Sequence, residues 1–281
     1  NLIIWDTVNV RLDDQGNLFE PLSTAPVANF NSFLDTGTLL NALATNGHVI
    51  VQTVDDGTAG AGYIRVDSAI DNSLNSSSLT LQAWDDIFVF DEITMGGGDL
   101  ALHAGYDALN SQFRGAGNYD VHIDDVIQTN GGDLDVVAAN LFDVGSNADI
   151  NTGSGAAHFN VNTANLGNDI VSGNITGTAS VVNVKNNNAE IQDGLDIATS
   201  GATVNVASGT FVENLDITKS VNLRGNYAGV NPNDGTDPFA PNTARDPAQE
   251  TILRPDPSAE TVDGAGNPTG DIDFAGIYVN N

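Results

Sequence analysis

The chain contains no cysteine. That removes disulfides, thiolate nucleophiles and soft-metal thiolate sites together, and it leaves the redox compartment open. Basic residues are almost as scarce: 8 Lys and Arg stand against 37 Asp and Glu, a formal net charge of -29. A surface of that sign repels nucleic acid, whose phosphates must be met by Lys and Arg, and it repels anionic membrane for the same reason. It favours solubility, divalent cations and salty surroundings, and it does not speak to fold. Long apolar runs are missing too, so no segment reaches the roughly 18 residues of a spanning helix and no membrane insertion is expected. The chain opens at Asn1 with neither Met nor a leader-like segment, which reads as a processed chain or a piece of a longer one.

What the chain does have is a phrase that recurs. An Ile in a turn-rich setting is followed, seven residues later, by two inward-type positions separated by one. Ile93 leads to Leu100-Ala101-Leu102, Ile127 to Leu134-Asp135-Val136, Ile150 to Ala157-His158-Phe159 and Ile175 to Val182-Asn183-Val184. Ile70 leads to Leu79-Thr80-Leu81 with two extra residues between. Gly96-Gly97-Gly98-Asp99, Gly131-Gly132-Asp133, Gly153-Ser154-Gly155 and Gly177 lie in the gaps. Counted from the first residue of each pair (79, 100, 134, 157, 182), the spacings are 21, 34, 23 and 25 residues. Self-similarity at such a period marks a stacked architecture. From 47 to 188 the chain is a series of short alternating segments joined by Gly, Asn and Asp, which is a strand pattern and not a helix pattern. The fold class that follows is all-β, a right-handed parallel β-helix or solenoid in which equivalent residues of successive coils align. Gly and Asn are expected at the corners that need positive φ. A β-sandwich with loops of variable length is the alternative.

The pattern divides the chain into three stretches. Residues 1–46 carry candidate strands at Leu2-Ile3-Ile4-Trp5 and Val8-Asn9-Val10, a loop bearing Pro21 and Pro26, and a short helix from Thr38 to Ala44 capped by Thr36 or Thr38; this stretch reads as a cap or assembly segment. Residues 47–188 are the β-helix repeats. Residues 189–281 begin with a short capping helix near 190–198, where Ile191, Leu195 and Ala198 have helical spacing and Gly201 reads as the stop. A second, incomplete β-helix segment follows, so that two successive segments are expected. The Pro-, Asn- and Asp-rich stretch 226–250 is too long and polar for a corner and reads as a surface excursion. Ile277-Tyr278-Val279 reads as a strand just starting.

Two family resemblances rest on these residues. Leu39 to about Asn188 resembles the repeat region of filamentous-haemagglutinin-like large exoproteins. The wording runs from Asn46-Gly47-His48-Val49-Ile50-Val51-Gln52-Thr53, through a Gly-rich turn at Gly57 to Gly62, to Tyr63-Ile64-Arg65-Val66-Asp67-Ser68-Ala69-Ile70. It then runs on through Leu79-Thr80-Leu81-Gln82-Ala83, Asp86-Ile87-Phe88-Val89 and Ile93. The resemblance implies secretion across a bacterial outer envelope, a right-handed β-helix and a role in adhesion or surface structure. Ile191 to Gly225 resembles the opening of a pectate-lyase-like β-helix, in which a capping helix runs into Gly201-Ala202-Thr203-Val204-Asn205-Val206 and on through Ile217-Thr218-Lys219-Ser220-Val221-Asn222-Leu223-Arg224-Gly225. That wording is shared by lyases, hydrolases and non-enzymatic surface proteins, so it implies a fold and not an activity.

Chemistry is thinly signalled. A polysaccharide lyase needs a basic proton acceptor and cations to neutralise a uronate, and Arg11, Arg65, Arg114, Lys185, Lys219, Arg224, Arg245 and Arg254 form no cluster in sequence. Carboxylate pairs occur at Asp13-Asp14, Asp55-Asp56, Asp85-Asp86 and Asp124-Asp125, but neighbours on a strand point to opposite faces and make no acid–base couple by themselves. No catalytic residue is named. No cofactor is required; calcium, held by hard oxygen ligands in turns, has weak candidates at Asp55, Asp56, Asp85, Asp86, Asp99, Asp124 and Asp125. His48, His103, His122 and His158 are dispersed, with His103 and His158 in outward slots. Asn75-Ser76-Ser77 and Asn174-Ile175-Thr176 are glycosylation-type triplets. The expectation is an extracellular or cell-surface, non-enzymatic adhesin or fibre component. Its partners would be copies of itself or cell-surface carbohydrate, with no nucleic acid. A polysaccharide lyase, hydrolase or carbohydrate-binding module is the second expectation and a surface-layer subunit the third.

Overall fold

Side chains two apart on a strand share a face. A chain that keeps returning an aliphatic residue to the same place in each coil therefore stacks those residues into columns. The computed structural model describes residues 2–5, 32–54, 62–228, 247–254 and 277–279, and it shows these columns directly. On one face Ile64, Ile87, Val121, Phe142, Ala164, Val182, Val204 and Leu223 lie in parallel register. On a second face the column is Val49, Leu79, Leu100, Leu134, Ala157 and Ile175. On the third it is Ile70, Ile93, Ile127, Ile150 and Ile170. Nearly every member is fully buried. We call these face B, face A and face C. Each coil runs A, B, C and then climbs one rung, as in Ser78–Ala83, Ile87–Val89 and Ile93–Met95. The architecture is the expected right-handed parallel β-helix, the hand that parallel crossovers adopt.

Faces A and B belong to one sheet because two strands turn the corner without a break. Leu134–Val144 and Ala156–Leu166 are each 11 residues long and pair with one another across a register shift between Ala138 and Leu141. The corner between C and A is tighter and is made by glycine. Thr129 and Thr152, fully buried, tie it from inside, the Thr152 hydroxyl donating to the Gly155 carbonyl at 2.7 Å and Thr129 making the equivalent bond to Gly132. Outside, Ser78, Asp99 and Asp133 stitch successive coils: Asp99 N donates to Ser78 Oγ (3.0 Å), Asp133 N to Asp99 Oδ1 (3.0 Å) and Ala156 N to Asp133 Oδ1 (2.7 Å).

The coil between Leu100 and Leu134 is the longest of these, and its surplus is a small antiparallel hairpin, Tyr106–Asp107 with Gln112–Phe113, standing outside the stack. It is clamped back by Arg114, whose guanidinium lies over the rings of Trp84 (3.9 Å) and Tyr119 (4.4 Å) and donates to the Trp84 carbonyl at 2.7 Å.

Several local expectations need correction. The first helix, α1 (Thr36–Thr45), is capped by Asp35 and not by Thr36 or Thr38: Asp35 Oδ1 accepts from Thr38 N at 2.8 Å, since the cap must sit outside the first turn. Its buried Leu39 and Leu43 pack at the first coil. The phrase Ile175 to Val182 is not the fifth repeat of the series. Ile170 occupies the Ile column, Ile175 lies on Ala157 of face A, and Val182 lies on Ala164 of face B. The coil from Ala157 to Ile175 has shrunk, and Val-Asn-Val reads the same on either face. Positive φ is found at Asn130 and not at the other asparagines of the described residues; most of the left-handed corners are glycine. The second helix, α2, is Ile191–Ile197, and Gly201 is not its stop: the chain leaves at Ala198 in extended conformation and Gly201 lies inside the strand Ala198–Val206. That strand pairs with Ala179–Val184, so face B continues past α2 into the second segment. Ile277–Val279 stacks in parallel on Leu215–Ile217. Val8-Asn9-Val10, the Pro21 and Pro26 loop, Asp55, Asp56 and most of 226–250 lie outside the described residues.

Candidate functional site

The regular stack is interrupted once on face C, where α2 takes the place of a strand above Ile170–Val171. A missing strand leaves backbone donors without carbonyls, and buried N–H groups must be paired. Asp193 supplies the substitute: its Oδ2 accepts from Ile170 N at 2.9 Å while the residue is only 4% exposed. The next coil holds α2 at both ends. Glu213 accepts from Ile191 N and Gln192 N, both at 2.9 Å, and so caps the helix that its own Glu190 side chain does not cap. Lys219 Nζ donates to the carbonyls of Leu195 (3.2 Å), Asp196 (2.7 Å) and Ala198 (2.8 Å). An acid at the N-terminus and a cation at the C-terminus match the helix dipole.

This exchange of strand for helix gathers acid. Carboxylate oxygens of Asp169, Glu190 and Asp193 lie within 4.8 Å of one another. They face an open recess of about 460 Å³ that Ser172, Asn174 and Asp196 also line. Burial, together with the neighbouring Asp169 and Glu190, pushes the Asp193 carboxyl up to about 9 against the pull of the Ile170 N–H. At neutral pH Asp193 therefore holds a proton. Burial also raises Glu213 and Asp196. Three carboxylates at this separation are a hard-oxygen donor set able to coordinate a divalent ion such as Ca²⁺, and a cation there would take over the role of the shared proton.

Sequence reading did not single out these three residues. Asp169 and Asp193 belong to different coils, and a carboxyl that stands in for a backbone carbonyl has no local signature; the i, i+3 spacing of Glu190 and Asp193 at a helix start was the one available hint. Of the residues it did name, Asp55 and Asp56 lie outside the described residues, and Asp86, Asp99 and Asp125 lie away from α2 and serve backbone. Asp86 Oδ1 accepts from Asp120 N (2.9 Å), Asp99 binds Asp133 as described, and Asp125 Oδ1 accepts from Val126 N (2.8 Å). Asp85 feels the Arg114 guanidinium, and burial raises both Asp85 and Asp86. Asp124 is exposed at a corner beside Gly145. Among the described residues, the group of three acids close enough to share a metal is the one at α2.

A second polar feature runs along the outside of face B. Asn165 Nδ2 donates to Asp143 Oδ1 (2.8 Å), Asn183 Nδ2 to Asn165 Oδ1 (2.8 Å) and Asn205 Nδ2 to Asn183 Oδ1 (2.9 Å), one amide per coil. Below them His122 lies between Asp120 (3.9 Å) and Asp143 (3.7 Å) and stacks on Phe88 with ring centroids 5.1 Å apart. Burial acts to raise Asp143, but Lys185, bonded at 2.7 Å, and Asn165 outweigh it and leave the carboxyl below its usual range. On face A the other three histidines are also tied to neighbours. His48 meets Thr80 (2.8 Å), His103 meets Asp135 (2.8 Å) beneath Phe113, and His158 meets Thr176 (2.7 Å).

No described helix is long and apolar enough to cross a membrane. The stacked parallel arrangement belongs to β-helix solenoids in general, which adhesins and lyases share, and it supports neither of the two family resemblances beyond that fold. Compared with family models, with curated proteins and with solved structures, the chain finds no match in any of the three.

Proposed function

We propose that this protein is a non-enzymatic structural or adhesive rod of the extracellular surface. The observation that carries the reading is the unbroken parallel ladder of face B, from Leu2–Trp5 through Ile64–Val66 to Asn222–Arg224, which turns every coil into a rung of one stiff element. The disposition of cations supports it. Arg65 is paired with Asp67, Arg114 is sandwiched between aromatic rings, and Lys219 closes the carbonyl end of α2. A lyase would need such groups free and together, as proton acceptor and uronate clamp, whereas the exposed Arg224 has beside it Lys185, which Asp143 already holds. Architecture then does the work: aliphatic columns hold the rod together, and an acidic exterior meets cations, ligands or neighbouring copies.

Three measurements test the reading. Electron microscopy of the purified protein should show rods, alone or joined into fibres, and beads coated with it should adhere to cells. Steady release of unsaturated ends from polygalacturonate would overturn the non-enzymatic reading, and compact particles without elongation would overturn the architectural one.

A further inference from the structure

The amide column of face B ends in a groove. Above Asn183 and Asn205 the next outward position in register is Arg224, and Lys185, Gly225 and Asn226 complete the walls around a volume of about 460 Å³. Two of the 8 Lys and Arg in a chain of net charge -29 thus meet in one place. Their states differ. Lys185 is neutralised by Asp143 at 2.7 Å. Arg224 is exposed and has no ion-pair partner among the described residues.

We propose that this groove is the ligand-contacting site of the rod, and that it takes a glycan carrying a single carboxylate flanked by neutral sugars. The inference rests on the adhesive reading given above and names the partner class it lacked. The charge balance sets the carboxylate count. One guanidinium is free to accept a carboxylate in a bidentate fork, and the second cation is already compensated. A polyanion would have to approach a strongly negative molecule at a groove where one of the two lining cations is already paired, so steering works against it. The amides account for the neutral part. Asn165 and Asn183 each spend one Nδ2 hydrogen and one Oδ1 lone pair on the ladder, and Asn205 spends one Nδ2 hydrogen; an amide has two of each. The remaining hydrogens and lone pairs point out of the sheet at the inter-strand spacing of about 4.8 Å, a row of paired donors and acceptors suited to successive sugar hydroxyls. The ladder also fixes the amides before a ligand arrives, which lowers the ordering cost of binding.

The test is a glycan array carrying neutral, mono-carboxylate and poly-uronate oligosaccharides, probed with the full chain and with Arg224→Gln. Arg224 is exposed, so the variant is expected to keep its circular dichroism spectrum and melting temperature. The expected result is preference for mono-carboxylate glycans and loss of about tenfold or more of that binding in R224Q, the scale of one charged hydrogen-bonded contact. Asn205→Ala, which breaks the column beside the groove, is expected to weaken the same glycans without shifting the preference for the acid. Absence of glycan binding, preference for neutral or poly-uronate glycans, or binding that R224Q leaves intact would each overturn the proposal. Adhesion of protein-coated beads that persists in R224Q would sink this site while leaving the rod's adhesive role standing.

Discussion

The corner between faces C and A offers a sharp test of the stack. A Cβ added at Gly132 would lie 2.2 Å from the Gly98 carbonyl oxygen one coil below, and one at Gly155 would lie 2.0 Å from the Gly132 oxygen; Gly98 repeats this over Ser77 at 2.1 Å. Carbon and oxygen approach no closer than about 3.3 Å in ordinary contact, so Gly132→Ala must open the rung by roughly 1 Å. The bonds at risk are local and countable: Gly131 N to Thr152 O (2.9 Å), Leu100 N to Asp133 O (2.9 Å), Asp133 N to Asp99 Oδ1 (3.0 Å) and the Thr129 hydroxyl to Gly132. Weakening two or three of these at about 1 kcal/mol each, with about 1–3 kcal/mol of overpacking, gives a loss of about 3–6 kcal/mol. Gly97 is the internal control. It has φ of +94° but nothing nearer than 3.6 Å to an added Cβ, so Gly97→Ala should cost only the left-handed penalty of about 1–2 kcal/mol. Gly47, with nothing within 4 Å, should tolerate Ala at little cost.

Urea unfolding followed by circular dichroism ranks the three variants, and amide hydrogen exchange locates the damage, since long repeat arrays can melt in parts. The expected order of stability is Gly47→Ala, then Gly97→Ala, then Gly132→Ala, with extra exchange confined to residues around 95–100 and 128–156. A Gly132→Ala midpoint equal to wild type, or one above that of Gly97→Ala, would mean that the coils do not lie directly over one another at this corner.

Four further outcomes follow from the α2 region and the amide column. Because burial raises Asp193 in the fold to about 9, its contribution is fully present below the unfolded value near 4 and is lost as pH rises toward 9. The slope is about 1.4 kcal/mol per pH unit, so Asp193→Asn should gain about 2.7 kcal/mol on wild type between pH 6 and pH 8 in denaturation without divalent ions. Calcium should raise the wild-type melting temperature, by about 2.7 kcal/mol of stability at a hundredfold excess over Kd, and should do nothing for Asp193→Asn; equal shifts in both would remove the ion from this recess. Lys219→Met should cost about 1.5–3 kcal/mol and speed exchange of the amides in α2, because three carbonyls lose their donor. Asn183→Ala should cost about 1 kcal/mol in urea denaturation and increase side-chain amide exchange at both Asn165 and Asn205, as expected of a shared column and not of an isolated pair.

The coils were legible because an inward Ile followed by glycine and an aliphatic pair is a three-dimensional statement written locally. Ile70, Ile93, Ile127 and Ile150 stack where their spacing places them, and Leu79, Leu100, Leu134 and Ala157 follow. The reading slipped at Ile175 for a physical reason. Face A and face B present the same alternation, so when the corner shortens from seven residues (Ile150 to Ala157) to five (Ile170 to Ile175) nothing local says which face a Val-Asn-Val segment joins. Helix α2 was visible from its apolar spacing, yet its caps were not, since Glu213 and Lys219 arrive from the following coil. The acidic recess was hidden for the same reason: Asp169 and Asp193 meet only because a strand is absent between them.

Regularity and chemistry are therefore exclusive along this molecule. Wherever a coil repeats its neighbour, its polar groups are consumed in register: Ser78, Asp99 and Asp133 bind one another's backbones, and the asparagines of face B bind each other. Groups become available where the repeat ends or breaks. Replacing one strand by α2 strands the Ile170 amide, draws in Asp193 to pair it, and leaves that carboxyl beside two others in a recess that invites either a proton or a cation. At the far end of the amide column the next rung brings a cation in place of an amide, and Arg224 meets no carboxylate among the described residues. A stacked fold of this kind gains stiffness from its repeats, so whatever it recognises must be read at such departures, and the two departures here differ in sign of charge.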